Sequence, residues 1–282
     1  MKLAICNETW QDLDFAATCE RIAAAGFTGV EIAPFTLKNN PWDITEPELA
    51  DHRRSAAAAG LEIVGLHWLL KAPEGFHISS NDASVRRRSA EFLRHLVRVN
   101  AALGGRVLVF GSPTCRSLGS EINPEDGWKR SRELFHEIAE YAQSHHSILA
   151  LEPLSPVETD FLSTSADGEK MCNEINHPAC KLHLDVKAMA GEILHRDGFF
   201  NAEILSQSIA DLIRRHSRHL VHFHANDPNR RGPGTGIVDY TPIFAALRSV
   251  AYDDWLSVEV FDYAEGADLI AQNSAAFLRQ GL

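Results

Sequence analysis

The chain has 282 residues, 45% of them hydrophobic, a formal net charge of −11 and five cysteines. That is enough apolar material for a large core, and the acidic balance argues against nucleic-acid or anionic-membrane partners. An odd cysteine count without a C-x-x-C pair points to a reducing, cytoplasmic setting, and no apolar run approaches the ~18 residues of a membrane span.

Lys2–Cys6 reads as a short apolar strand. Asp12–Ala25 has helical spacing, with Gly26 as its stop. Gly29–Ala33 is a second strand and Glu46–Ala59 a second helix, closed by Gly60. Strand Glu62–Trp68 leads to a long helix over Asp82–Leu103. Strand Arg106–Gly111 and helix Pro124–Ser144 follow. The second half keeps the rhythm: strand Ser147–Glu152, helix Ala166–Ile175, strand Lys181–Val186, helix Ala202–Ser217, strand Leu220–Ala225, helix Thr241–Leu247, strand Trp255–Val260 and helix Ala267–Leu278. Strict alternation of eight strands and eight helices implies a parallel sheet. With no linker between units, the expected fold is α/β, a (β/α)8 TIM barrel, as one domain over residues 1–282. An open Rossmann-type sheet is disfavoured, because no G-x-G-x-x-G follows the first strand.

The C-terminal strand ends of such a barrel converge on one site. Read in order, the last four strands end in Glu152, Asp185, His224 and Glu259, at spacings of 33, 39 and 35 residues. Alternation puts all four inward: Leu149, Leu151, Leu182, Leu184, Val221, Phe223, Val258 and Val260 then face the helices. Three carboxylates and one imidazole suit one divalent metal ion, Mn2+ first, with Mg2+, Co2+ or Zn2+ as alternatives. A salt-bridge cluster with Lys181 and Lys187 is the competing explanation. One layer lower, His183 and His222 are inward, either as groups that orient the metal-binding carboxylates or as packed core histidines. Glu31 is inward too and is expected to be a buried structural acid paired with Lys181.

With these residues in place, the chain resembles the sugar isomerase/epimerase superfamily with the xylose-isomerase-like TIM barrel, which includes ketose 3-epimerases, hydroxypyruvate isomerase and inosose enzymes. Residues 151–158 (LEPLSPVE) resemble the ketose-epimerase motif of a metal-binding Glu followed six residues later by a substrate-binding Glu, here Glu152 and Glu158. Asp185 matches the strand-six ligand. The H-F-H of strand seven makes His224 the ligand and Arg230 a substrate-binding residue, and Pro233-Gly234-Thr235-Gly236 matches the P-G-x-G that follows. Glu259, before Val260 and Phe261, matches the last ligand. Two positions depart from the ketose epimerases: Ala188 stands where they carry a substrate-binding His, and Ser155-Pro156 replace their Asn-Arg.

The resemblance implies a metal-dependent sugar isomerase or epimerase acting on a small carbohydrate. Glu152 and Glu259 would exchange a proton beside the carbonyl of a metal-stabilised enediolate. Trp10, Trp68 and Phe261 are candidate walls for the sugar, and His67, Glu158 and Arg230 candidate hydroxyl partners. A homodimer or homotetramer is expected. Two alternatives use the same frame: a lyase or dehydratase acting on a cyclic polyol or keto sugar, with His67 as general acid, and a non-catalytic sugar-binding barrel. Endonuclease IV, a more distant relative, needs three zinc ions. Ala188 removes one of its histidines, and no His stands near Gly111 to supply another.

Overall fold

Helix boundaries follow the capping chemistry of the sequence. Asp14 starts the first long helix by accepting from the Ala17 amide at 2.8 Å. Thr45 and Glu48 form a capping box on the next, and Asp82 accepts from the Ser84 amide at 2.7 Å. Gly26 and Gly104 end their helices at φ 91° and 85°, in the left-handed region that glycine enters without a Cβ clash.

The computed structural model describes residues 1–198 and 201–282. In chain order the elements are β1 (Lys2–Cys6), α1 (Phe15–Ala25), β2 (Gly29–Ile32), α2 (Pro34–Leu37), α3 (Glu46–Ala58), β3 (Glu62–Leu66), α4 (Ala83–Leu103), β4 (Val107–Phe110), α5 (Pro124–Ser144), β5 (Ile148–Leu151), α6 (Ser165–Ile175), β6 (Cys180–Asp185), α7 (Val186–Asp197), α8 (Ala202–His216), β7 (Leu220–Ala225), α9 (Thr241–Ser249), β8 (Trp255–Val258) and α10 (Ala267–Arg279). The eight strands close in sequence order, β1 pairing with β8, and the barrel pairs are parallel. Among the described residues, no helix is long and apolar enough to cross a membrane.

Two helices break the expected strict alternation. The short α2 follows β2 directly. Helix α7 is inserted before α8, because Asp185 both ends β6 and caps α7 through the Ala188 amide at 2.6 Å. Six strands also stop earlier than expected: β4, β5 and β6 by one residue at Phe110, Leu151 and Asp185, β2 by one at Ile32, and β3 and β8 by two at Leu66 and Val258, so His67, Trp68, Glu152 and Glu259 stand just beyond their strands.

The main apolar core lies between barrel and helices and holds Leu149, Leu151, Leu182, Leu184, Phe223 and Val258, as alternation requires. Val221 is the exception. It packs with Val107, Val109 and Ala150, because the β6–β7 register slips between Leu182 and His183 and carries Val221 past its expected face. Ala4, Val64 and Trp255 form a further small apolar cluster, with the Lys2 ammonium 4.1 Å from the Trp255 ring.

Candidate active site

The four strand-end residues are buried. Glu152 follows β5 directly. The adjoining loop supplies Arg116, fully buried, whose guanidinium donates to the carbonyls of Ser112 (3.2 Å), Glu152 (2.7 Å) and Phe110 (2.8 Å). This ties the ends of β4 and β5 together. Burial pushes the Arg116 pKa down to about 10, against the pull of Glu152. Asp185 accepts from Ala188 N and from Asn226 Nδ2, both at 2.6 Å. The same Asn226 accepts from the Lys187 amide at 2.9 Å, so one side chain joins the ends of β6 and β7.

His224 faces carboxylates on both sides. Its Nδ1 lies 3.2 Å from Glu259 Oε2 and 4.0 Å from Asp185 Oδ2, and its Nε2 lies 3.1 Å from Glu31 Oε2. Glu31 also meets His222 Nε2 at 2.8 Å. Its carboxylate is therefore occupied by His222 and His224, and the expected pairing with Lys181 does not form. Lys181 lies nearer the start of β6, where its charge acts on His177 and His219. His222 thus acts on Glu31, which orients His224, while both ring nitrogens of buried His183 lack a hydrogen-bond partner among the described residues. Glu259 is held on its other oxygen by His67 Nδ1 at 3.2 Å, and His67 Nε2 meets Glu8 Oε2 at 3.0 Å.

Ligand-type atoms of Glu152, His183, Asp185 and His224 lie within 4.8 Å of one another, and Glu259 joins them through His224. Burial and the charges of Glu259 and Asp185 push the Glu152 carboxyl up to about 8. Burial pushes Glu259 upward as well, but His224 and His67 outweigh it and hold this carboxyl below its usual range. Crowded carboxylates that oppose one another's charge, beside an imidazole with orphaned nitrogens, form a donor set that a divalent cation fits. Gly111 makes room for the Glu152 carboxylate: a Cβ there would lie 1.7 Å from Glu152 Oε2.

A cavity of about 40 Å3 opens onto Glu152 and Glu259 and is also lined by His67, Trp68, Glu158, Lys187 and Phe261. Lys187 bridges to Glu158 at 2.6 Å and lies 4.9 Å from the centre of the Phe261 ring. Burial would raise the Glu158 pKa, but the Lys187 charge holds it below the usual range. Lys187 thus reaches the pocket from the first turn of α7, beside Ala188. Trp68 has φ 52° and meets Phe261 edge-on at 6.3 Å. Arg230 is exposed, with its guanidinium 5.8 Å from the Phe261 ring, and Trp10 lines a separate, larger cavity. Glu8, Arg116 and Gly111, which the sequence pattern does not single out, belong to this neighbourhood.

The xylose isomerase-like TIM barrel family matches residues 19–281. The chain belongs to this family. Within it, the barrel is 28% identical over 264 residues to L-ribulose 3-epimerase of Mesorhizobium japonicum, covering 92% of this chain and 81% of that protein. It is 26% identical over 306 residues to D-psicose 3-epimerase of Agrobacterium fabrum, covering 99% and 98%. A crystal structure of D-psicose 3-epimerase in the presence of D-fructose superposes with a TM-score of 0.82 over 100% of this chain and 99% of that one, at 24% identity. The enzyme class that the resemblance implied, a sugar isomerase or epimerase, is that of these named relatives.

Proposed function

We propose that this xylose isomerase-like barrel is a divalent-metal-dependent epimerase of a keto sugar, moving a proton on the carbon beside the carbonyl between Glu152 and Glu259. One observation carries the reading: both carboxylates line the same small cavity, beside Asp185 and His224. Glu152, Asp185, His224 and Glu259 would hold the metal, Mn2+ being the first expectation. When bound, the ion supplies Lewis-acid polarisation of the substrate's oxygens.

The protein's own groups account for the rest. Glu152 follows β5 and Glu259 follows β8, so the two carboxylates reach the cavity from different strands and can serve as separate proton acceptor and donor. Glu259, held by His67 and His224, is placed to take the proton and Glu152 to return one, both facing the same cavity. Reversing the roles gives the reverse reaction. Glu158 and Lys187 are placed to meet sugar hydroxyls, with Arg230 at the rim, and Trp68 and Phe261 restrict water. The curated ketose 3-epimerases among the relatives support this class of reaction.

The test is proton NMR in D2O with metal-loaded protein and a panel of ketoses, keto-glycosides and inososes. Deuterium is expected to enter beside the carbonyl. Glu259→Gln is expected to slow exchange by about 100-fold or more, the usual worth of a positioned acid or base. No exchange with any sugar, from protein shown to carry metal, would sink the proposal. A dehydratase is the second reading, favoured by His67: burial opposes its charge, but Glu8 and Glu259 hold its pKa well above normal, making it a plausible acid for a leaving hydroxyl. Exchange accompanied by loss of water identifies that alternative.

A further inference from the structure

The carboxylate cavity, at about 40 Å3, is far smaller than the ~300–1,000 Å3 typical of small-molecule sites. A sugar carbon brought to Glu152 and Glu259 therefore leaves most of its molecule elsewhere. A second cavity of about 450 Å3 adjoins it, and Trp68 and Phe261 line both. That volume lies within the ~300–1,000 Å3 typical of small-molecule sites.

The walls of the larger cavity point to the chemistry of its occupant. Trp10, Phe35 and Tyr263 contribute aromatic rings, and Gln11, Thr36 and Asn39 contribute neutral polar groups. Two of the rings are tethered by their polar tips: Trp10 Nε1 donates to Asp268 Oδ1 at 2.9 Å, and the Tyr263 hydroxyl donates to the Val260 carbonyl at 2.9 Å. Their apolar surfaces are therefore held in fixed positions. Among the described residues, Lys71 is the one basic group lining the cavity, and the one acid, Glu8, is engaged by His67. An anionic group such as phosphate is usually clamped by several donors of positive charge, and this cavity does not supply them. Fixed aromatic rings with neutral amides and hydroxyls suit the C–H faces and hydroxyls of an uncharged pyranose.

We infer that the larger cavity is a subsite for a second sugar ring, so that the substrate is a glycosidic keto sugar and not a free monosaccharide. The reacting carbons sit at Glu152 and Glu259, the chain of the substrate passes Trp68 and Phe261, and the glycosyl substituent occupies the outer cavity. This rests on the enolisation proposed at the carboxylate pocket, but its binding component is separately measurable.

Calorimetry on Mg2+-loaded protein would compare D-fructose, D-fructose 6-phosphate and glucosyl-fructoses substituted at O4, O5 or O6. At least one glucosyl-fructose should bind about tenfold more tightly than fructose, a difference of about 1.4 kcal/mol. Asn39→Trp, at an exposed position, would fill the cavity and bring that ratio to about one. Phe35→Ala would lower it by removing a wall. Equal affinities, tighter binding of the phosphate, no binding of any sugar, or a preference that survives Asn39→Trp would each overturn the inference. Deuterium exchange recorded on the same samples separates the two ideas: a glycoside preference without exchange in any sugar supports the subsite and sinks the epimerase.

Discussion

A methyl group at position 111 would occupy the space that the Glu152 carboxylate fills, since a Cβ there would lie 1.7 Å from Oε2. The obstacle is the far end of a side chain, so Glu152 is expected to swing away while the backbone stays put. Gly111→Ala should therefore melt close to the wild-type temperature but bind Mn2+ about 10–100-fold more weakly, the scale of an orientation defect at a metal site. Wild-type Mn2+ affinity in calorimetry would refute that role. At this scale the sequence was legible where alternation and strand ends coincide: Glu152, Asp185, His224 and Glu259 do converge. Arg116 was not, because arginine is seldom fully buried and nothing in its neighbours reveals three carbonyls waiting for it. Glu31 was legible as buried but not as the partner of His222 and His224, since that pairing crosses the barrel between strands far apart in the chain.

Among the elements, helix α3 depends on one surface carboxylate. Glu48 accepts from the Lys38 ammonium at 2.8 Å and from the Thr45 amide at 2.8 Å, and these bonds, Lys38 first, hold its pKa near about 2 against 4.5 unperturbed. A carboxyl with a depressed folded-state pKa stabilises the fold above its unfolded value and loses that contribution as pH falls through the folded one. Glu48→Gln should then lower the melting temperature near neutral pH, with the gap shrinking as pH drops from about 4.5 towards about 2. A gap independent of pH over that range would assign the effect to shape, not charge. Elements were legible where caps and glycine stops mark them, as for α1 and α4. Helix α7 was hidden because Asp185 serves as strand end, helix cap and candidate ligand at once, so its spacing reads only as strand. The slip at Val221 was hidden for a related reason: a bulge changes parity without changing composition.

For the whole molecule, the closed barrel concentrates Glu31, Glu152, Asp185 and Glu259 with His67, His183, His222 and His224 in its buried upper interior. Burying several acids together is costly unless their charge is matched, and breaking a matched set from one side usually destabilises. The histidines match Glu31 and Glu259, but Glu152 and Asp185 are both pushed upward, so the fold by itself leaves part of this charge unrelieved. A bound divalent ion would relieve it, and binding to the native state alone stabilises by mass action. At about 100 times the dissociation constant the gain is ~2.7 kcal/mol, or roughly 5–10 °C in melting temperature for a domain near this size. Mn2+ should raise the wild-type melting temperature by that order, and chelator should reverse it. Glu152→Gln removes one of the opposed carboxyls, so the metal-free variant should melt at or above the metal-free wild type while gaining little from Mn2+. If the cluster were instead a self-sufficient salt-bridge core, the variant would melt lower and Mn2+ would move neither protein. Scanning calorimetry of the two proteins with and without metal distinguishes a core built to receive an ion from one that is complete without it.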